Sequence, residues 1–167
     1  MCISLLDHVQ AYVQQVAEKK TCPLPIYPLR FVPAAITLLD SDGGSKSATF
    51  IVEDRINGIW QKYVGNANAK PVMHPDQPGY ERAQYMCFLQ HLQFEKTRGL
   101  AYISDWQGDS SISSSSSNLA LYGEGNIPEA FKNFPKEHTC NDYCIWANLT
   151  PPILDEAKYL TDMSTSE

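Results

Sequence analysis

No stretch of this sequence is long and apolar enough to span a bilayer, which needs ~20 apolar residues in a row. The first twenty residues, MCISLLDHVQAYVQQVAEKK, place an acid at position 7 and hold no apolar core of a leader peptide. Secretion is therefore not expected, the expected address is the cytosol or nucleus, and no membrane partner is expected. Dense basic clusters are also missing: 13 Lys and Arg stand against 19 Asp and Glu, a net charge of −6. Phosphate backbones are gripped by clustered positive charge, so no nucleic-acid partner is expected. Cysteine is sparse and odd in number, five residues at Cys2, Cys22, Cys87, Cys140 and Cys144, which argues against a disulfide framework. With 43% hydrophobic residues among 167, the chain has enough apolar material for one well-buried core.

Residues 4–20 carry Leu5, Leu6, Val9, Val13, Val16 and Ala17 at helical spacing, with Lys19 and Lys20 at the end favoured by the helix dipole. Pro23, Pro25 and Pro28 then impose an extended connection. RFVPAAITLLD predicts a strand or strand pair. ATFIVEDRINGIWQKYVGN predicts two extended pieces around a turn at Asn57-Gly58. Residues 80–95 have the formers and spacing of a buried helix, broken at Thr97-Arg98-Gly99. LAYISD predicts a short strand ending at Asp105, and Ser110, Ser111 and Ser113–Ser117 predict a low-complexity loop. A short helix is predicted from Pro128, and a polar tail from Thr150. The order of elements gives an α+β domain.

Two groups of residues carry chemistry. His138, Cys140 and Cys144 place an imidazole and two thiols in one short segment, the soft donors that a tetrahedral zinc site uses. One turn of helix would put Cys140 and Cys144 on one face, with His138 folding back. The fourth donor is open among His8, His74, His91, Cys2, Cys22 and Cys87. His91 stands out because an unpartnered imidazole in the apolar run FLQHLQF would be costly to bury. The second group is Asp105 with Gln107, a carboxylate and an amide suited to holding a metal or accepting a proton. Gly123-Glu124-Gly125-Asn126 before a helix has the form of an anion-binding turn.

In order, FIVEDRINGIWQKYVGN, ERAQYMCFLQHLQFEKTRGLAYISDWQG and YGEGNIPEAFKNFPKEHTCNDYC resemble the alpha-type (atypical) serine/threonine protein kinases, the group of myosin heavy-chain kinase and the channel kinases. The match covers about residues 50–149, more weakly the opening helix, and its wording looks like the expanded members of mushroom-type fungi. The resemblance implies a kinase-like domain over residues 1–149 with a truncated N-lobe and a zinc-stabilised C-lobe, followed by the tail 150–167. It implies a zinc site of His91, His138, Cys140 and Cys144. It implies ATP bound at Glu53, Lys62 and Asn66, a catalytic acid at Asp105, a magnesium-side amide at Gln107, and a Gly-rich loop at Gly123, Gly125 and Asn126. The implied activity is transfer of the ATP γ-phosphate to a Ser or Thr hydroxyl of a protein, with Mg²⁺; the protein substrate is not specified.

Three departures bear on activity. The family's second magnesium carboxylate falls in the serine run, near Ser115 or Ser116, and a hydroxyl is a much weaker Mg²⁺ ligand. The family's front strands, with a phosphate-covering loop and a phosphate-binding Lys, precede the helix that matches residues 4–20, with which this sequence opens. Glu129 and Ala130 stand where a further Gly of the Gly-rich loop is expected. Impaired catalysis is expected, because charge stabilisation dominates phosphoryl transfer. The alternative is a zinc-stabilised pseudokinase or interaction module.

Overall fold

The amphipathic N-terminal stretch forms helix α1 (Cys2–Lys19), which buries Leu6, Val9 and Val13, three residues along one helical face. In the computed structural model, residues 2–39, 48–55, 58–66, 68–109, 115–117 and 127–153 are described. Gln10 ties α1 to strand β1 (Leu29–Phe31): its Nε2 donates to the Leu29 carbonyl at 2.9 Å and its Oε1 accepts from the Leu29 N–H at 2.9 Å. The proline-bearing connection before β1 is extended, as three locked φ angles require.

Strands β2 (Ala34–Leu39) and β3 (Ala48–Glu53) form an antiparallel pair of their own, with Ile36 opposite Ile51. Strand β4 (Trp60–Lys62), β5 (Gln107–Asp109) and β6 (Ser115–Ser117) join β1 in a second sheet of order β1-β6-β5-β4. Within it β1 runs parallel to β6, and the other neighbours are antiparallel.

The centre of the molecule is helix α2 (Tyr80–Lys96). It is buried nearly all round, residues 85–94 without interruption, and the buried set includes the polar Gln90, His91 and Gln93. A helix of that kind must be surrounded by other elements. Phe88, Leu89 and Leu92, each fully buried, contribute roughly 1.5–3 kcal/mol apiece of transfer free energy. Gly99 stops the chain beyond α2 at φ 82°, and its N–H donates to the Phe94 carbonyl at 2.7 Å.

Helices α3 (Ile127–Glu137) and α4 (Asp142–Trp146) follow. Phe134 of α3 stacks on Phe94 of α2 at 4.7 Å between ring centres. Tyr143 and Trp146 of α4 pack on Phe88. Two long-range bonds close the domain: Trp146 Nε1 donates to the Lys20 carbonyl at 3.0 Å, and Lys20 Nζ to the Trp146 carbonyl at 3.1 Å. Among the described residues no helix is long and apolar enough to cross a membrane.

The α+β class expected from sequence is the one observed. Three local expectations need correction. LAYISD is not a strand: the backbone of 101–106 is held by side chains and by the 63–66 segment rather than by a ladder. Part of the serine run is not a loop, since Ser115–Ser117 form β6. Cys140 does not lie on a helix with Cys144, because α4 begins only at Asp142. The turn residue Asn57, the serines at 110–114, the Gly-rich positions Gly123, Gly125 and Asn126, and the tail from 154 lie outside the described residues.

Candidate functional site

The core helix α2 carries His91 inward at 1% exposure. The chain leaving α3 places His138, the following turn places Cys140, and the first turn of α4 places Cys144. That turn is fixed by Asn141, whose Oδ1 accepts from the N–H groups of Tyr143 at 3.1 Å and Cys144 at 3.3 Å. Its Nδ2 donates to the Gln84 carbonyl at 2.8 Å, locking the cap onto α2. The four donor atoms lie within 4.8 Å of one another. His91 Nδ1 is 3.4 Å from Cys144 Sγ and 3.8 Å from Cys140 Sγ, and His138 Nε2 is 3.6 Å from Cys144 Sγ. A tetrahedral ion bonded at ~2.3 Å to sulfur and ~2.0–2.1 Å to nitrogen has donor–donor edges of roughly 3.3–3.8 Å. The three sulfur–nitrogen separations fall within that range, and the whole set, within 4.8 Å, is compact enough to close on one ion.

The electrostatics agree with a cation site. Burial lowers the affinity of His91 for a proton, opposed by the backbone of Thr150. Burial, and then the adjacent His91 ring, push His138 down to about 3, opposed by the backbone of Ala69. Both imidazoles are therefore neutral and free to ligate. Burial pushes the Cys144 thiol up to about 12 and raises Cys140, so each thiol keeps its proton until a metal displaces it. Two neutral imidazoles and two thiols suit Zn²⁺ better than the hard cations, which take oxygen.

A second cluster forms around Asp105. It is 5% exposed, and its backbone takes a left-handed φ of 55°, a region that Asp tolerates better than most residues. Lys62 Nζ lies 2.5 Å from Asp105 Oδ1 and donates to Asn66 Oδ1 at 3.1 Å. Gln107 Nε2 reaches Asp105 Oδ2 at 3.5 Å. Ser104 Oγ donates to the Asn66 carbonyl at 3.0 Å, and the Asp105 N–H to the Gly65 carbonyl at 3.3 Å. These bonds clasp the turn after β4 against the segment that carries the acid.

The structure thus brings together Lys62, Asn66, Asp105 and Gln107, and separately His91, His138, Cys140 and Cys144. Glu53 stands apart at the exposed end of β3, opposite Ala34, and no hydrogen bond or ion pair joins it to Lys62, Asn66 or Asp105 among the described residues. The backbones of Ser115 and Ser116, at the expected place of a second metal carboxylate, pair with Leu29 and Arg30.

Two residues not singled out from sequence position the acid. Gln93 Oε1 accepts from the Ile103 N–H at 2.7 Å, and Gln90 Nε2 donates to the Ile103 carbonyl at 2.9 Å. Both amides are fully buried. The available signal was a pair of amides three residues apart within FLQHLQF, where burial requires a partner.

A family model described as the alpha-kinase family matches residues 5–144. Among solved structures, the chain is similar to the alpha-kinase domain of myosin-II heavy chain kinase A with a phosphorylated aspartate. The TM-score is 0.58 at 13% identity, over 90% of this chain and 58% of that one. It is similar also to the alpha-kinase domain of myosin heavy chain kinase A in complex with AMP, at TM-score 0.57 and 13% identity, over 89% of this chain and 58% of that one. The chain therefore spans less than two thirds of the kinase domains whose fold it shares. The comparison with curated proteins finds no match.

Proposed function

The chain belongs to the alpha-kinase family, and on that premise we propose that it is an ATP-dependent protein Ser/Thr kinase domain of reduced turnover, stabilised by a structural zinc. The Asp105 cluster carries this reading. A buried carboxylate, a lysine ammonium and two side-chain amides converge on one point, the kind of charged cradle that phosphoryl transfer needs. In this reading Asp105 accepts the proton of the attacking hydroxyl, and Gln107 orients its carboxylate. Lys62 and Asn66 hold the nucleotide side of the cleft, and Glu53 contributes to nucleotide contact once ATP is present. Mg²⁺, when bound, would neutralise phosphate charge, with Asp105 and Gln107 as its oxygen donors. The serine run at the place of a second carboxylate supports a lowered rate.

Zinc at His91, His138, Cys140 and Cys144 would stabilise the fold rather than take part in the reaction, since four protein donors fill a tetrahedron. Its support is the convergence of two imidazoles and two thiols within 4.8 Å, with three sulfur–nitrogen separations of tetrahedral-edge length.

Radiolabelled phosphate transfer from ATP to a basic protein substrate tests the activity. Slow transfer abolished by Asp105→Ala is expected, and no transfer by folded, zinc-bearing protein at high concentration would refute it. One observation favours a second reading, a pseudokinase: the ammonium of Lys62 already occupies an oxygen of Asp105. A thermal shift with Mg-ATP but no phosphate transfer would support that reading instead.

A further inference from the structure

Among the described residues, the β2–β3 pair gathers five of the exposed large apolar side chains on one ribbon. Ile36 and Leu38 of β2 are 71% and 70% exposed, and Phe50, Ile51 and Val52 of β3 are 49–57% exposed. The register puts Ile36, Leu38 and Ile51 on one face and Val52 and Phe50 on the other, so neither face is polar. Among the described residues no other helix or strand packs on either strand, and the outer edge of each pairs with no described strand. A two-stranded ribbon is marginal alone, and an uncharged open edge is a template for pairing with another strand. Strand β2, AAITLL, has none of the usual protections: no charge, no proline and no glycine.

We propose that β2 is a self-association edge, pairing antiparallel with β2 of a second copy to make a four-stranded sheet about a two-fold axis. The sequence is self-complementary in this arrangement. With Thr37 on the axis, Ile36 of each copy stands opposite Leu38 of the other, and both lie on the face that already holds Ile51. The two Thr37 residues face each other, a favourable cross-strand pair. The axis stands perpendicular to the sheet, so aliphatic side chains from both copies share one side. Of the exposed large side chains only Ile36 and Leu38 lie on the pairing strand, so the area covered falls below the ~800 Å² per partner of a standard interface. A weak, concentration-dependent dimer is therefore expected rather than a permanent one. A second copy is favoured over a charged partner because the ribbon offers a single charged residue, Glu53.

Sedimentation equilibrium of the 167-residue chain between ~1 and ~200 μM should show mass rising from monomer toward dimer. The double variant Ile36→Lys, Leu38→Lys should remain monomeric, with zinc content and helical signal unchanged because both side chains face solvent. Thr37→Cys should yield an intermolecular disulfide between the two introduced thiols, identified by peptide mass. A monomer at every concentration would overturn the proposal. So would a dimer that survives the double lysine change, or association that passes beyond dimers without pausing there.

Discussion

Replacing His91 by Ala removes one corner of the four-donor cluster and should separate a metal centre from ordinary packing. Apparent binding free energies of structural zinc run ~10–16 kcal/mol, so an even share is ~2.5–4 kcal/mol per donor. At ~1.4 kcal/mol per tenfold, zinc affinity should fall roughly a hundred- to a thousandfold. The variant also leaves a void, because His91 is 1% exposed and its ring lies 4.5 Å from that of His138. That alone costs roughly 2–3 kcal/mol. Cys87→Ala supplies the control: it sits one turn earlier on α2, at 2% exposure, outside the four-donor cluster. Elemental analysis should find one zinc per chain in the parent and in Cys87→Ala, and far less in His91→Ala after dialysis against a competing chelator. Thermal unfolding should fall steeply with chelator in the parent and hardly at all in His91→Ala. A variant that keeps its zinc at parental affinity, or a parent that folds fully without metal, would refute the reasoning.

Zinc uptake should release two protons near neutral pH. Cys140 and Cys144 are raised by burial and still protonated there, while His138 at about 3 and His91, also lowered, are already neutral. Affinity should then rise about a hundredfold per pH unit between roughly pH 6.5 and 8, and a slope of tenfold or less in competition titrations would contradict the protonation assignment. Asp105→Asn should preserve the left-handed backbone, whereas Asp105→Val should lose a further ~1–2 kcal/mol in denaturant unfolding, and equal losses would show that φ 55° carries no strain. Gln93→Leu should cost roughly 1–3 kcal/mol by stranding the buried Ile103 N–H, with proteolysis at residues 101–106 as the local readout. Parental stability and unchanged cleavage would count against the clamp.

What the sequence made legible was local or periodic. The apolar spacing of residues 4–20 and 80–95 appears as α1 and α2, each with ends within about two residues of expectation. The segment HTC plus DYC announced donor chemistry because imidazole and thiols are distinctive side chains. Less legible was anything that depends on a partner distant in the chain. LAYISD has the composition of a strand, yet two amides from α2 take over its backbone bonds, so no ladder forms. The serines of β6 have poor strand propensity, and it is pairing with β1 that makes them a strand. The clasp of Lys62 on Asp105 spans 43 residues of sequence and gives no periodic signal.

Helix α2 has a consequence for motion. On one side it carries His91 into the four-donor cluster, and one residue before and two after, Gln90 and Gln93 grip the strandless segment that ends at Asp105. The two clusters are thus mounted on a single axle less than two turns long. Loosening either end should be transmitted to the other as slackness rather than displacement. Amide hydrogen exchange across residues 85–106 should therefore respond as one block, quickening together when the donor cluster is emptied.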